Sequence, residues 1–264
     1  MSLTPSEVLL QELGITDPEE IDAEAIAWHV GVTVNYRHLD GCEAHILGYG
    51  NRAVVTVHSD RPEPRRRFSL AHELGHWHHH RGRAFICRAE EIGGQSVKKP
   101  EVEKVADAYA ANLLMPWYLF SPKSLVIKKP SFGEIKNLAD IFKTSFTATA
   151  IRYVESNTSP VMIVCHGRNG RKWFKRSRDI PERWFPRDEL DADSYAFDVL
   201  FGDKGDHAPA LIDASAWFDR REAERYEMRE QTVSIGNGEI LTLLLITDEE
   251  MLAEISNKQG WRRS

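Results

Sequence analysis

The sequence predicts an α+β protein in two parts, a helix-rich first part with a small antiparallel sheet and a β-rich second part. Three observations carry this. The 264 residues exceed what one hydrophobic core commonly serves, at roughly 100–200 residues per domain. Most segments before residue 155 space their apolar residues three and four apart, whereas short strand-like runs dominate beyond residue 160. Between them Ser156-Asn157-Thr158-Ser159-Pro160 has linker composition, which places a boundary near residue 157 and divides the chain into 1–157 and 158–264.

Taken in order, residues 4–13 and 18–30 read as two short helices, each preceded by capping chemistry. Residues 32–36, 44–49 and 53–58 are β-branched or aromatic runs separated by Asp40-Gly41 and Gly50-Asn51, the pattern of a small antiparallel sheet. Pro62 and Pro64 stop the last strand, and a helical pattern runs on to about His80 with Phe68, Leu70, Ala71, Leu74 and Trp77 for burial. A connection over 82–100 leads to an Ala-rich helix over 101–115, ended by Pro116, which cannot continue it without losing a hydrogen bond. Residues 131–142 and 146–155 form a helix, a turn and a helix. The second part then reads as strands over 161–165, 171–175, 195–201, 210–213 and 240–246.

Composition excludes several classes of function. With 42% hydrophobic and 28% charged residues the chain suits an ordinary core and not a membrane bundle. Its longest aliphatic run, 243–246 with Leu241 before it, falls far short of the roughly 20 apolar residues that span a bilayer. A net charge of -6 argues against wholesale coating of nucleic acid and leaves room for a local basic patch. The three cysteines, Cys42, Cys87 and Cys165, form no CxxC pair and no disulfide framework, which suits a reducing cytoplasm. The acidic first thirty residues lack the pattern of a secretion signal.

The chemistry concentrates in His72-Glu73-Leu74-Gly75-His76. Helical residues four apart share a face, so His72 and His76 can converge on one metal, with Glu73 beside it as general base for a water molecule. Zinc suits two neutral imidazoles and keeps an open position when the protein supplies three ligands. The competing reading is a histidine-rich surface helix that holds the pattern by chance, since His78, His79 and His80 follow Trp77. A third histidine six residues beyond His76 is excluded, because Gly82 stands there. Glu103 in the next helix is a candidate third ligand, ahead of Glu101 and His80, and Asp107 could then hold the outer nitrogen of His72 or His76. Against this, Glu103 and Asp107 also fit a solvated helix face.

The run from Arg67 through His76, followed by Glu103-Lys104-Val105-Ala106-Asp107-Ala108-Tyr109-Ala110-Ala111-Asn112-Leu113-Leu114-Met115-Pro116, closely resembles the ImmA/IrrE family of bacterial metallopeptidases over roughly residues 20–155. The resemblance implies a zincin-like domain of the gluzincin type, with His72, His76 and Glu103 as zinc ligands and Glu73 as catalyst. It also implies intracellular cleavage of a helix-turn-helix repressor that derepresses stress, mobile-element or anti-phage genes. Residues 131–155 correspond to a helix-turn-helix-like pair, and residues 158–264 look like the GAF-like sensing domain of longer members. Asp107 departs from the Asn common at that place. A non-enzymatic, zinc-stabilised regulator that binds DNA or a partner is the alternative.

Four further features stand outside the motif. Cys87 lies between the two ligand-bearing helices, where its thiolate could cap the metal as an inhibitory fourth ligand, or pack beside Phe85 and Ile86. The strand over 53–58, if it forms an exposed edge, could seat an extended substrate, with His58 or Tyr109 at the oxyanion. Arg65, Arg66 and Arg67 either attract substrate or pair with carboxylates. Arg171, Lys172, Lys175 and Arg176 surround Trp173, a pattern that could bind single-stranded DNA or form a solvated hairpin; a small molecule in the second part is the other candidate signal.

Overall fold

The computed structural model describes residues 2–81, 85–87, 92, 100–202 and 204–253, so most of the 82–100 connection lies outside the described residues. Two compact units divide the chain: Met1–Lys123 with Asn137–Phe146, and Ser124–Lys136 with Thr147–Ser264.

In the first unit Thr4 caps α1 (Pro5–Glu12) through a reciprocal pair, its hydroxyl accepting from the Glu7 N–H while the Glu7 carboxylate accepts from the Thr4 N–H. Glu7 is buried and its second oxygen accepts the Trp117 N–H at 2.7 Å. The single helix expected over 18–30 is broken. A 3-10 turn at Pro18–Glu20 precedes α2 (Ala23–His29), because Asp22 turns its carboxylate back to cap a new helix through the N–H groups of Glu24 and Ala25.

Next come β1 (Val32–Arg37), β2 (Ala44–Tyr49) and β3 (Arg52–His58), then α3 (Glu63–His79), β4 (Phe85–Cys87) and α4 (Glu101–Leu114). The sheet order is β1-β3-β2-β4. β2 and β3 form the expected hairpin, and Gly50, with φ +60°, turns it. The sheet is nevertheless mixed and not antiparallel, since β1 pairs with β3 in parallel, Val32 opposite Ala53 through Arg37 opposite His58. Alternation within a strand records which face is buried; it does not name the neighbouring strand. For the same reason β3 is an interior strand and offers no edge to a substrate.

Residues 69–77 of α3 are buried and α4 lies against them. The helices approach closely at Gly75, where a Cβ would stand 2.9 Å from the Ala106 Cα and 3.0 Å from its carbonyl oxygen. After α4 come α5 (Trp117–Leu125), α6 (Phe132–Phe142) and α7 (Phe146–Glu155). The sequence reading took Pro116 only as a stop and missed α5, which begins at the next residue.

The second unit contains β5 (Val161–Gly167), β6 (Gly170–Arg176), α8 (Tyr195–Phe201), β7 (His207–Asp213), β8 (Glu227–Gly236), β9 (Glu239–Leu245) and α9 (Glu249–Ala253). Its five strands run β6-β5-β9-β8-β7, each antiparallel to the next. The β-rich character expected here holds, with two corrections. Residues 195–201 are helical, because Ser194 caps them through the Phe197 N–H and Ala196 and Leu200, four apart, turn to the core. β8, unassigned in the sequence, pairs with both β7 and β9. The core gathers Met162, Val164, Trp184, Trp217, Phe218, Met228 and Leu244.

Candidate metal centre

The i,i+4 spacing on α3 works as its periodicity requires: His72 and His76 share a face, and their Nε2 atoms stand 3.1 Å apart. α4 supplies Glu103, whose carboxylate lies 3.1 Å from His72 Nε2 and 3.5 Å from His76 Nε2. β4 brings Cys87, with Sγ 3.5 Å from His76 Nε2. All four residues are buried, and their donor atoms lie within 4.8 Å of one another.

These separations test whether an ion fits. Tetrahedral ligands at roughly 2.0 Å for N or O and 2.3 Å for S are about 3.3 Å apart, or about 3.5 Å between N and S. The separations of 3.1–3.5 Å are those of donors around one ion. Chemistry points the same way, since two imidazoles, a carboxylate and a thiol are the ligand types of zinc and its neighbours, and clustering them in a core without an ion would cost desolvation.

Electrostatics sort the carboxylates. Burial works against the charge on Glu103, but hydrogen bonds from His72 and His76 prevail and hold its carboxyl at about 2. Asp107, one turn further along α4, lies 2.9 Å from His72 Nδ1 and is placed to hold a proton there, so that a bound ion would replace the Nε2 proton shared with Glu103. Burial also opposes a charge on His72, yet Asp107 and Glu103 raise its pKa. Glu73 is wholly buried, and among the described residues its carboxylate has no backbone or hydroxyl donor and only the weak thiol of Cys87 beside it. Burial pushes its carboxyl up to about 7, against the opposing pull of His72.

Of the other sequence candidates, Glu101 is exposed and pairs with Lys104, while the His80 ring centroid lies 5.7 Å from that of His76, outside the donor group. Tyr109 packs against His78 and His79, and His58 against His38. Arg65 pairs with Glu43, Arg67 donates to the Ile21 carbonyl and Arg66 lies over the Tyr36 ring. In the second unit, edge strand β6 carries Arg171, Lys172, Trp173, Lys175 and Arg176, of which Lys172 is paired with Glu239, Arg176 with Glu182, and Arg171 covers the Phe185 ring near Asp188.

Sequence reasoning missed Glu43. It is 3% exposed, accepts from Arg61 and Arg65, and its N–H donates to the Cys87 carbonyl at 3.0 Å, tying β4 to the sheet. Its one visible signal was the cluster of arginines at 61 and 65–67 with no nearby acid assigned to them.

The fold resembles that of a Mycobacterium tuberculosis transcriptional regulator, with a TM-score of 0.58 and 11% identity, over 95% of this chain and 77% of that one. None of the curated protein sequences matches this chain. A family model, Peptidase_M78 or IrrE N-terminal-like domain, matches residues 27–153, the stretch that contains His72, Glu73, His76, Cys87, Glu103 and Asp107. Residues 27–153 are therefore similar to the IrrE N-terminal-like domain of the Peptidase_M78 family.

Proposed function

We propose that the protein is a zinc-dependent endopeptidase of the cytoplasm that cleaves a helix-turn-helix transcriptional repressor and derepresses its genes under stress, DNA damage or phage attack. The observation that carries the reading is the buried meeting of His72, His76 and Glu103 with Glu73, itself wholly buried, next in the chain to His72. His72, His76 and Glu103 would hold the ion. When bound, it supplies Lewis acidity that polarises a peptide carbonyl and acidifies water. Glu73 takes the proton from the attacking water and returns it to the leaving nitrogen, the task of a general base held beside the ligands on the same helix. Asp107 positions His72 through Nδ1, and the close approach at Gly75 sets Glu103 opposite the two histidines. The repressor as substrate comes from the ImmA/IrrE resemblance, and the transcriptional regulator that shares the fold is in keeping with it.

In this reading Cys87 is an inhibitory fourth ligand, because its sulfur stands at the N-to-S spacing that one ion requires. Cys87→Ser should then raise basal cleavage several-fold, and unchanged basal activity would return Cys87 to packing. The second unit is the sensor, GAF-like in role, and takes single-stranded DNA along β6 or a small molecule as signal. Three free cysteines suit a reducing compartment, and among the described residues no helix is long and apolar enough to cross a membrane. The test is co-expression with repressors encoded nearby, reading fragments by mass spectrometry for the native chain and for Glu73→Gln. Fragments from the first alone support the reading. Intact repressors under every inducing condition, with tight operator binding by the metal-loaded protein, favour a zinc-stabilised regulator instead.

A further inference from the structure

A second group of metal-ligating side chains lies outside the centre described above. Because β1 and β3 run parallel, with Arg37 opposite His58, the residues that leave their ends emerge side by side, and the Ser59 N–H donates to the Arg37 carbonyl at 2.9 Å. His38, His58 and Asp60 thereby meet, and one donor atom from each lies within 4.8 Å of the others. His38 Nδ1 is 2.6 Å from Asp60 Oδ2, and the two imidazole rings sit edge to face with centroids 5.0 Å apart. The Asp60 N–H donates to His58 Nδ1 at 3.2 Å, so that nitrogen presents its lone pair toward the aspartate.

We propose that His38, His58 and Asp60 form a second divalent transition-metal site, of the zinc class, open to solvent and independent of the buried centre. Two imidazoles and a carboxylate are a ligand set that zinc accepts while keeping a position for water. His58, 5% exposed, is the fixed ligand; the exposed side chains of His38 and Asp60 adjust around it, widening their contact toward the about 3.3 Å that two ligands of one ion require. An ion on His58 Nδ1 replaces the Asp60 N–H there. Asp40, 3.3 Å from the outer nitrogen of His38, fixes that ring as a supporting carboxylate does in metal sites. Backbone hydrogen bonds link the site to the strand that carries Cys87, since the His58 N–H donates to the Glu43 carbonyl and the Glu43 N–H to that of Cys87. A simple His38–Asp60 ion pair is the arrangement it must be told from.

The test is equilibrium dialysis of the full, tag-free chain against micromolar zinc, with the bound metal counted by elemental analysis. The native chain should hold two ions, and His38→Gln and Asp60→Asn, both at exposed positions, should each hold one. His72→Ala with His76→Ala should also hold one, lost on adding His38→Gln; if that variant does not fold, the exposed substitutions decide alone. A single ion in the native chain that His38→Gln and Asp60→Asn both retain, or two ions in those variants, overturns the site and leaves the ion pair; a single ion that both variants lose supports it. The proposal stands apart from the peptidase reading, since a chain that cleaves nothing but binds two ions still supports it.

Discussion

Glu73 in the first unit and Glu230 in the second are both carboxylates with no exposed surface, and burial raises the pKa of both. Their surroundings differ. Glu230 accepts from the Trp217 Nε1–H at 2.8 Å, the Ala196 N–H at 2.6 Å and the Thr232 hydroxyl at 3.1 Å. Among the described residues Glu73 has only the weak thiol of Cys87 beside it. A buried carboxylate supplied with donors is part of the architecture, joining α8 and the segment before Asp219 to β8. One that is starved of donors costs stability where it stands, and such a cost persists where a reaction uses the group.

The largest expected effect tests the starved partner. Glu73→Gln should lower cleavage by at least about 100-fold, the usual contribution of a general base, while metal content stays unchanged. Its thermal midpoint should barely change, since a glutamine keeps the shape and an oxygen for the weak Cys87 thiol; a clear loss of stability would show that Glu73 is structural after all. Glu230→Ala should behave in the opposite way. It strands two buried N–H donors at about 1–3 kcal/mol each, so chemical denaturation should show a loss of roughly 2–6 kcal/mol with metal binding by the chain unaffected.

Gly75→Ala sharpens the contrast within the first unit. The added methyl meets backbone of Ala106 that cannot rotate away, so α3 and α4 must part, at about 1–3 kcal/mol for an overpacked contact. Because Glu103 and Asp107 ride on α4, zinc affinity should fall along with stability. A stable variant of native affinity would mean that the helices have slack. The smallest effect concerns His166 in the second unit, where burial outweighs the backbone of Arg187 and Asp188 and lowers the imidazole to about 4. Its folded pKa lies below the unfolded value near 6.5, so between these the unfolded chain binds more protons and stability falls as pH drops from about 6.5 toward 4. The slope attributable to it is at most about 1.4 kcal/mol per pH unit, and His166→Gln should remove it in a denaturation series across that range.

Helices α3 and α4 were legible because their signals are local. The i,i+4 histidines, the buried stripe through Trp77 and the stop at Pro116 all act within a few residues. β2 and β3 were legible for the same reason, with Gly50 turning the hairpin. The misses share one cause. Residues 195–201 mix aromatic and aliphatic side chains that suit either state, and a cap at Ser194 with burial at Ala196 and Leu200 makes them a helix. The parallel placement of β1 depends on a neighbour more than twenty residues away in sequence, which no alternation pattern records.

By itself the sequence determined the two ligand-type histidines, the adjacent Glu73 and the second helix bearing Glu103 and Asp107, since helical periodicity fixes which side chains share a face. Only the tertiary structure decided that Glu103, not Glu101 or His80, joins them, because that choice rests on where two helices cross at a glycine. It likewise decided that Cys87 faces the centre and that His38 meets His58, both set by strand order in a mixed sheet. Contacts within a turn of chain are encoded by spacing; contacts between distant segments are chosen by packing the whole core, where the free energy of burial is shared among residues that no single stretch contains.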